Sequence, residues 1–211
     1  MTAFITHCLK KTRLDLIGLL ACACLLFGWT TTARAEAPVT EITLLKFERA
    51  GDEVLLTATV KFDLPSAVQD ALLKGVAIIF VAEVDILRER WYWMNQRVLH
   101  AERHMRLTYQ PLTRRWRLNV ASGVITNTGL GMTLNQNFES LADALAVVQR
   151  LSLWKIADVA ELNLEQRHVV DFRFHLDVSQ LPRPLQIGTL GQTDWDISAA
   201  VSRMLILETP K

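Results

Sequence analysis

Cysteine is confined to the first 24 residues of this 211-residue chain, as Cys8, Cys22 and Cys24, and none follows. The rest of the protein therefore has no disulfide, no thiolate nucleophile and no cysteine metal site. Apolar runs long enough to cross a membrane are missing as well. Leu16 to Trp29 spans 14 residues, short of the ~20 that a bilayer core requires. Gly-x-Ser-x-Gly, His-Glu-x-x-His, P-loop and dinucleotide signatures are absent, so the sequence implies no cofactor and no motif-borne catalysis. It also holds no internal repeat and no low-complexity tract.

The leader is the first positive signal. Lys10, Lys11 and Arg13 precede the apolar segment, and residues 30–35 end in Ala33-Arg34-Ala35, the pattern of a signal peptide cut after Ala35. Export to the periplasm is the expectation, with residues 36–211 as a single β-rich domain. Two alternatives stand beside it. An uncleaved leader would anchor the chain to the inner membrane, and Leu19-Leu20-Ala21-Cys22 resembles a lipobox, although the apolar segment runs on through Leu25, Leu26 and Phe27. Taking Lys10, Lys11, Arg13 and Arg34 from the 23 basic residues, and Asp15 from the 22 acidic ones, leaves a net charge of about −2. No global field points to nucleic acid.

Periodicity gives the fold class. Val54, Leu56, Ala58, Val60 and Phe62 alternate with polar residues, and with residues 42–49 and the turn Ala50-Gly51-Asp52 they predict a hairpin. Residues 65–74 predict a short helix with Val68, Ala71 and Leu72 on one face and Gly75 as its exit. The continuous run of residues 76–81 predicts a central strand. Leu99, Ala101, Met105, Leu107 and Tyr109, then Trp116, Leu118 and Val120, continue an antiparallel meander. Residues 121–137 read as a loop closing at Asn137 as a helix N-cap, followed by a helix with Leu141, Ala144, Leu145, Val148 and Leu151 on its face. Residues 168–178 predict a strand with Val178 inward, ended by Leu181-Pro182-Arg183-Pro184, and residues 196–207 a last strand. The sum is a mainly β (α+β) chain of six or seven strands: an antiparallel sheet or β-sandwich with two short-to-medium helices.

Three constellations bear on chemistry. Between Arg88 and Arg117 stand eight arginines against only Glu89 and Glu102, interleaved with aromatic residues. Alternation puts Arg106, Arg115 and Arg117 on a polar face as an anion-binding or partner-docking surface, and Trp91, Trp93 and Trp116 would supply an apolar floor. The competing reading pairs these arginines with Glu83, Asp85, Asp171 and Asp177 in an ordinary solvated ladder. His100, Glu102 and His104 have metal-ligand spacing on a helix, but on a strand the two histidines fall ~13 Å apart, so no metal is expected; a hydrolase built on Glu102 with either histidine is the least favoured reading. Ser152-Leu153-Trp154-Lys155 matches Ser-x-x-Lys without the companion motifs of the penicillin-recognising enzymes.

Residues 109–114 and 116–118, Arg90-Trp91-Tyr92-Trp93, Ser140-Leu141, Leu181-Pro182-Arg183-Pro184-Leu185-Gln186 and Asp194-Trp195-Asp196 together resemble an exported proteobacterial family, domain of unknown function 4390. The resemblance covers nearly all of the chain after the leader. It implies no activity, ligand or catalytic residue; genes of the family often stand beside one for a membrane sensor kinase of the nitrogen-regulation type, and the resemblance thereby implies an accessory role at the cell envelope. The sequence thus points first to a non-catalytic periplasmic module that docks a protein partner. A binder of anionic envelope ligands, such as lipid A phosphates or peptidoglycan carboxylates, comes second.

Overall fold

Strict alternation builds the first hairpin. β1 (Glu41–Ala50) and β2 (Glu53–Lys61) pair antiparallel, and Gly51, at φ +61°, supplies the left-handed turn residue. α1 (Ser66–Leu73) follows, burying Val68, Ala71 and Leu72, and Gly75 at φ +83° ends it. β3 (Ile78–Arg88), β4 (Gln96–Gln110) and β5 (Arg115–Ser122) form the meander. Then come β6 (Thr133–Phe138), α2 (Leu141–Gln149), β7 (Arg150–Asp158), β8 (His168–Leu176), α3 (Arg183–Thr189), β9 (Ser198–Met204) and β10 (Leu207–Glu208). The computed structural model describes residues 40–90, 95–123, 133–163, 166–189 and 195–208. The leader with Ala33 and Ala35, and Trp91 and Trp93, lie outside them.

The strands form two sheets. One has the order β10-β1-β2-β7, with β10 parallel to β1 and the other pairs antiparallel; the second, β6-β5-β4-β3-β8-β9, is antiparallel throughout. The chain crosses from the first sheet to the second through α1 and back to the first through α2. β3 is interior to its sheet, as its apolar run requires, and Ile78, Phe80, Ala82, Val84 and Ile86 are fully buried. Both sheets contribute to one core. Phe62, just after β2, bridges them: its ring centroid lies 5.5 Å from that of Phe80 on β3 and 5.5 Å from that of Phe174 on β8.

The mainly β class holds, but residues 121–158 differ from expectation. Asn137 does not cap a helix; it lies in β6, opposite Arg117 of β5. The cap is Ser140, whose Oγ accepts from the Asp143 backbone N–H at 3.1 Å. Leu151 leaves the helix and begins β7, which pairs with β2. There Leu153 takes φ +47°, and the register slips between Leu56 and Ala58. This bulge leaves Ser152 and Leu153 both exposed between buried Leu151 and Trp154, and so hides the alternation that marks a strand. Ser140→Ala is expected to cost about 1 kcal/mol and Asn137→Ala less than about 0.5 kcal/mol, a difference that urea unfolding reads directly.

The C-terminal segment also differs. β8 ends at Leu176, because Asp177 Oδ1 accepts from the Ser179 N–H at 2.9 Å and turns the chain into a 3-10 turn, Val178–Gln180. Val178 is therefore exposed rather than inward. Burial raises the Asp177 pKa, but hydrogen bonds from Ser179 and Gln180 outweigh it and hold the carboxyl below its ordinary value. The proline segment does not simply stop a strand. It opens α3, where proline's fixed φ and missing N–H cost nothing. Among the described residues there are ten strands and three α-helices, more than the six or seven strands and two helices expected.

Candidate functional site: the outer face of the six-stranded sheet

The face of the six-stranded sheet turned away from the core carries the polar residues of β3, β4, β5 and β8. Register lines them up in rows: Asp171, Asp85 and His100 in one, Arg173, Glu83 and Glu102 in the next, His175, Val81 and His104 in a third. Asp85 is only 6% exposed. Its carboxylate accepts from Arg173 Nη2 at 3.2 Å and His100 Nδ1 at 2.8 Å, and Arg97 Nε lies 3.2 Å away in an ion pair. Arg173 Nη2 also reaches Glu83 at 2.8 Å. A buried carboxylate is tolerable only with such a set of donors. In this half of the face Asp85 and Glu83 are held by Arg173, Arg97 and His100.

The other half is different. Arg106 stands opposite Asn119, and Arg117 opposite Thr108 and Asn137, while Arg115 is paired with Gln110. Arg106 and Arg117 are thus diagonal neighbours within ~7–8 Å at Cα, and Arg115 lies ~7 Å further along β5. Arg117 Nε donates to Asn137 Oδ1 at 3.4 Å. Among the described residues, no carboxylate forms a salt bridge with any of the three. Glu83 and Asp85 are engaged by Arg173, Arg97 and His100, Asp171 accepts from Ser202, and Asp177 holds its own turn. The ladder in which these four acids neutralise the arginines is therefore not what forms. Asn119, Asn135 and Asn137 line the row instead.

The aromatic floor is not beside it. Trp116 lies between Arg115 and Arg117 in sequence, so the two-residue period of a strand sends it to the opposite face. It is 6% exposed, packed in the core with its ring 4.7 Å from that of Tyr109. What the arginine row has at its end is Leu112, fully exposed at the tip of the β4–β5 hairpin, next to Arg114 at φ +52° and Arg115.

The remaining sequence motifs take other roles. His100, Glu102 and His104 lie on a strand, with Glu102 Oε2 3.5 Å from His104 Nε2 and 3.9 Å from His100 Nε2. Among the described residues no three histidine, cysteine or acidic side chains gather as a metal site. Ser152 and Lys155 flank the bulge of β7. Lys155 hydrogen-bonds Asp158 at 2.8 Å and Glu53 at 3.0 Å, and these bonds push its pKa up to about 12. A lysine held so firmly protonated does not take a proton from serine at neutral pH.

One of the eight arginines lies on the opposite face of the sheet. Arg103 falls on the inner face of β4, in register with Ala101 and Met105, and its guanidinium carbon lies 4.9 Å from the Trp154 ring centroid. The signal was in the sequence, since 99, 101, 103, 105, 107 and 109 form one face and only residue 103 is charged.

Searches among curated proteins and solved structures returned no match. A protein-family model does match, over residues 37–204, and the chain belongs to that family, described as Domain of unknown function (DUF4390).

Proposed function

We propose that this chain is a non-catalytic binding module, exported to the periplasm, that docks the acidic surface of a protein partner on its β4–β5–β6 face. The observation that carries this reading is the row Arg106, Arg115 and Arg117, with no carboxylate among the described residues in salt-bridge range, on a face where Glu83 and Asp85 are already engaged. Unneutralised guanidinium groups steer and select an anionic partner. Bare Leu112 beside the row favours a protein over a simple anion, because it offers an apolar anchor as well as charge. The external region of a membrane sensor kinase has the right address for such a partner.

A photoreactive residue at Leu112 should crosslink a single envelope protein in the native cell, and one at Lys46, on the other sheet, should not. Arg106→Ala, Arg115→Ala and Arg117→Ala combined should weaken that interaction by about tenfold to a hundredfold, and raised salt should do the same. Stability should stay within about 0.5 kcal/mol. An unchanged interaction in the triple variant removes this surface from consideration. Binding to lipid A vesicles that the same variant loses, without any protein crosslink, replaces the protein partner with an anionic envelope ligand.

A further inference from the structure

The inner face of β4 reads Leu99, Ala101, Arg103, Met105, Leu107 and Tyr109, with one cation in an apolar row. Arg103 is half-buried over the face of Trp154, itself 3% exposed. Among the described residues no carboxylate lies within salt-bridge distance of it. Burial pulls the Arg103 pKa below its ordinary value, which is the signature of a sheltered cation without a counter-ion. The Trp154 ring offsets part of that cost but neutralises no charge.

Arg103 also lines a cavity. About 440 Å³ lies between the inner face of β4, β5 and β6 and the end of α2 with the start of β7, a size that suits a small molecule. Met105, Val120, Leu134, Val147 and Leu151 give it apolar walls. Leu134, on the edge strand, is 58% exposed, so an apolar wall is left open at that side. Arg150 adds a second cation to the lining.

We infer that this cavity binds a small anionic amphiphile, its carboxylate paired with Arg103 over Trp154 and its alkyl chain against Met105, Val120, Leu134 and Val147. The cavity opens on the core side of the sheet and the arginine row lies on the other side, so this site does not depend on the docking surface.

The test is calorimetric titration of the full chain with octanoate, decanoate and dodecanoate below their micellar concentrations, with decanol as the uncharged control. Affinity should rise about fourfold for each added methylene. Arg103→Met keeps the stem and removes the charge; it should weaken decanoate binding at least tenfold and leave decanol binding within twofold. Val147→Trp, which fills the cavity without touching the cation, should abolish both. The Arg106, Arg115 and Arg117 triple variant should bind decanoate as the parent does. Since Arg103→Met removes an uncompensated charge, its melting temperature should not fall, which separates loss of binding from loss of fold. Equal affinity for decanoate and decanol, decanoate binding indifferent to Arg103→Met, or no binding by any chain length overturns the inference.

Discussion

Phe174→Ala is expected to lower the unfolding free energy by about 3–5 kcal/mol, a large part of the 5–15 kcal/mol typical of a whole domain. Phe174 is fully buried on β8, 5.9 Å centroid to centroid from Phe80 on the neighbouring strand and 5.5 Å from Phe62, which enters from the other sheet. Register places Ala82 directly opposite Phe174, so the large ring occupies space that its cross-strand partner leaves. Removing the ring vacates space that no neighbour on either rigid sheet can fill, and the cavity cost adds to the lost transfer energy. Phe174→Leu keeps most of the volume and should cost about 1.5 kcal/mol or less. Urea unfolding measures both through the midpoint at constant slope. A loss below about 1 kcal/mol for the alanine variant would mean that the three rings do not hold the sheets together and that the core collapses around the gap.

What could be read from the sequence follows from how locally each signal is written. β2 and β8 were legible because every second residue is apolar, and α1 because Val68, Ala71, Leu72 and Gly75 all agree. β6 was not, since Thr-Leu-Asn-Gln-Asn-Phe is poor in strand formers and reads as loop. It is a strand because β5 offers it a ladder, and tertiary context outweighs propensity there. β7 is masked in the sequence by its bulge at Leu153 and by the apolar pattern of α2 running on into Leu151.

The candidate site shows the same division. Strand parity puts Arg106, Arg115 and Arg117 on one face, and the same parity excludes Trp116 from it. Which acids would neutralise the row depended on strand order, which no local pattern states. Arg173 reaches Asp85 across 88 positions of sequence because β8 lies beside β3. That placement engages Asp85 and leaves the arginine row charged. The split of the outer face into a paired half and an unpaired half is therefore a consequence of topology.

The paired half has its own large expected effect. Arg97→Ala or Arg173→Ala alone should cost about 1 kcal/mol, whereas the double variant should cost about 3 kcal/mol, a coupling of about 1 kcal/mol. The asymmetry lies in burial: the Asp85 side chain is 8% exposed, while those of Arg97, His100 and Arg173 are 61%, 39% and 51% exposed. The cations solvate without their partner, but the carboxylate does not. One arginine can be lost because the other and His100 still hold Asp85; with both gone, a buried charge rests on a single imidazole. A hollow of about 250 Å³ beside Asp85 and Asp171 admits water, which places the cost at the lower end of the range for a broken buried pair. Asp85→Leu in the double-variant background removes the stranded charge and should recover most of the loss, because an apolar side chain of similar size needs no donors. Strictly additive arginine variants, or no recovery with leucine, would show that water rather than the arginines satisfies Asp85. In contrast, Arg106, Arg115 and Arg117 leave no carboxylate among the described residues stranded when truncated, so a binding defect in their variants reports on the surface and not on the fold.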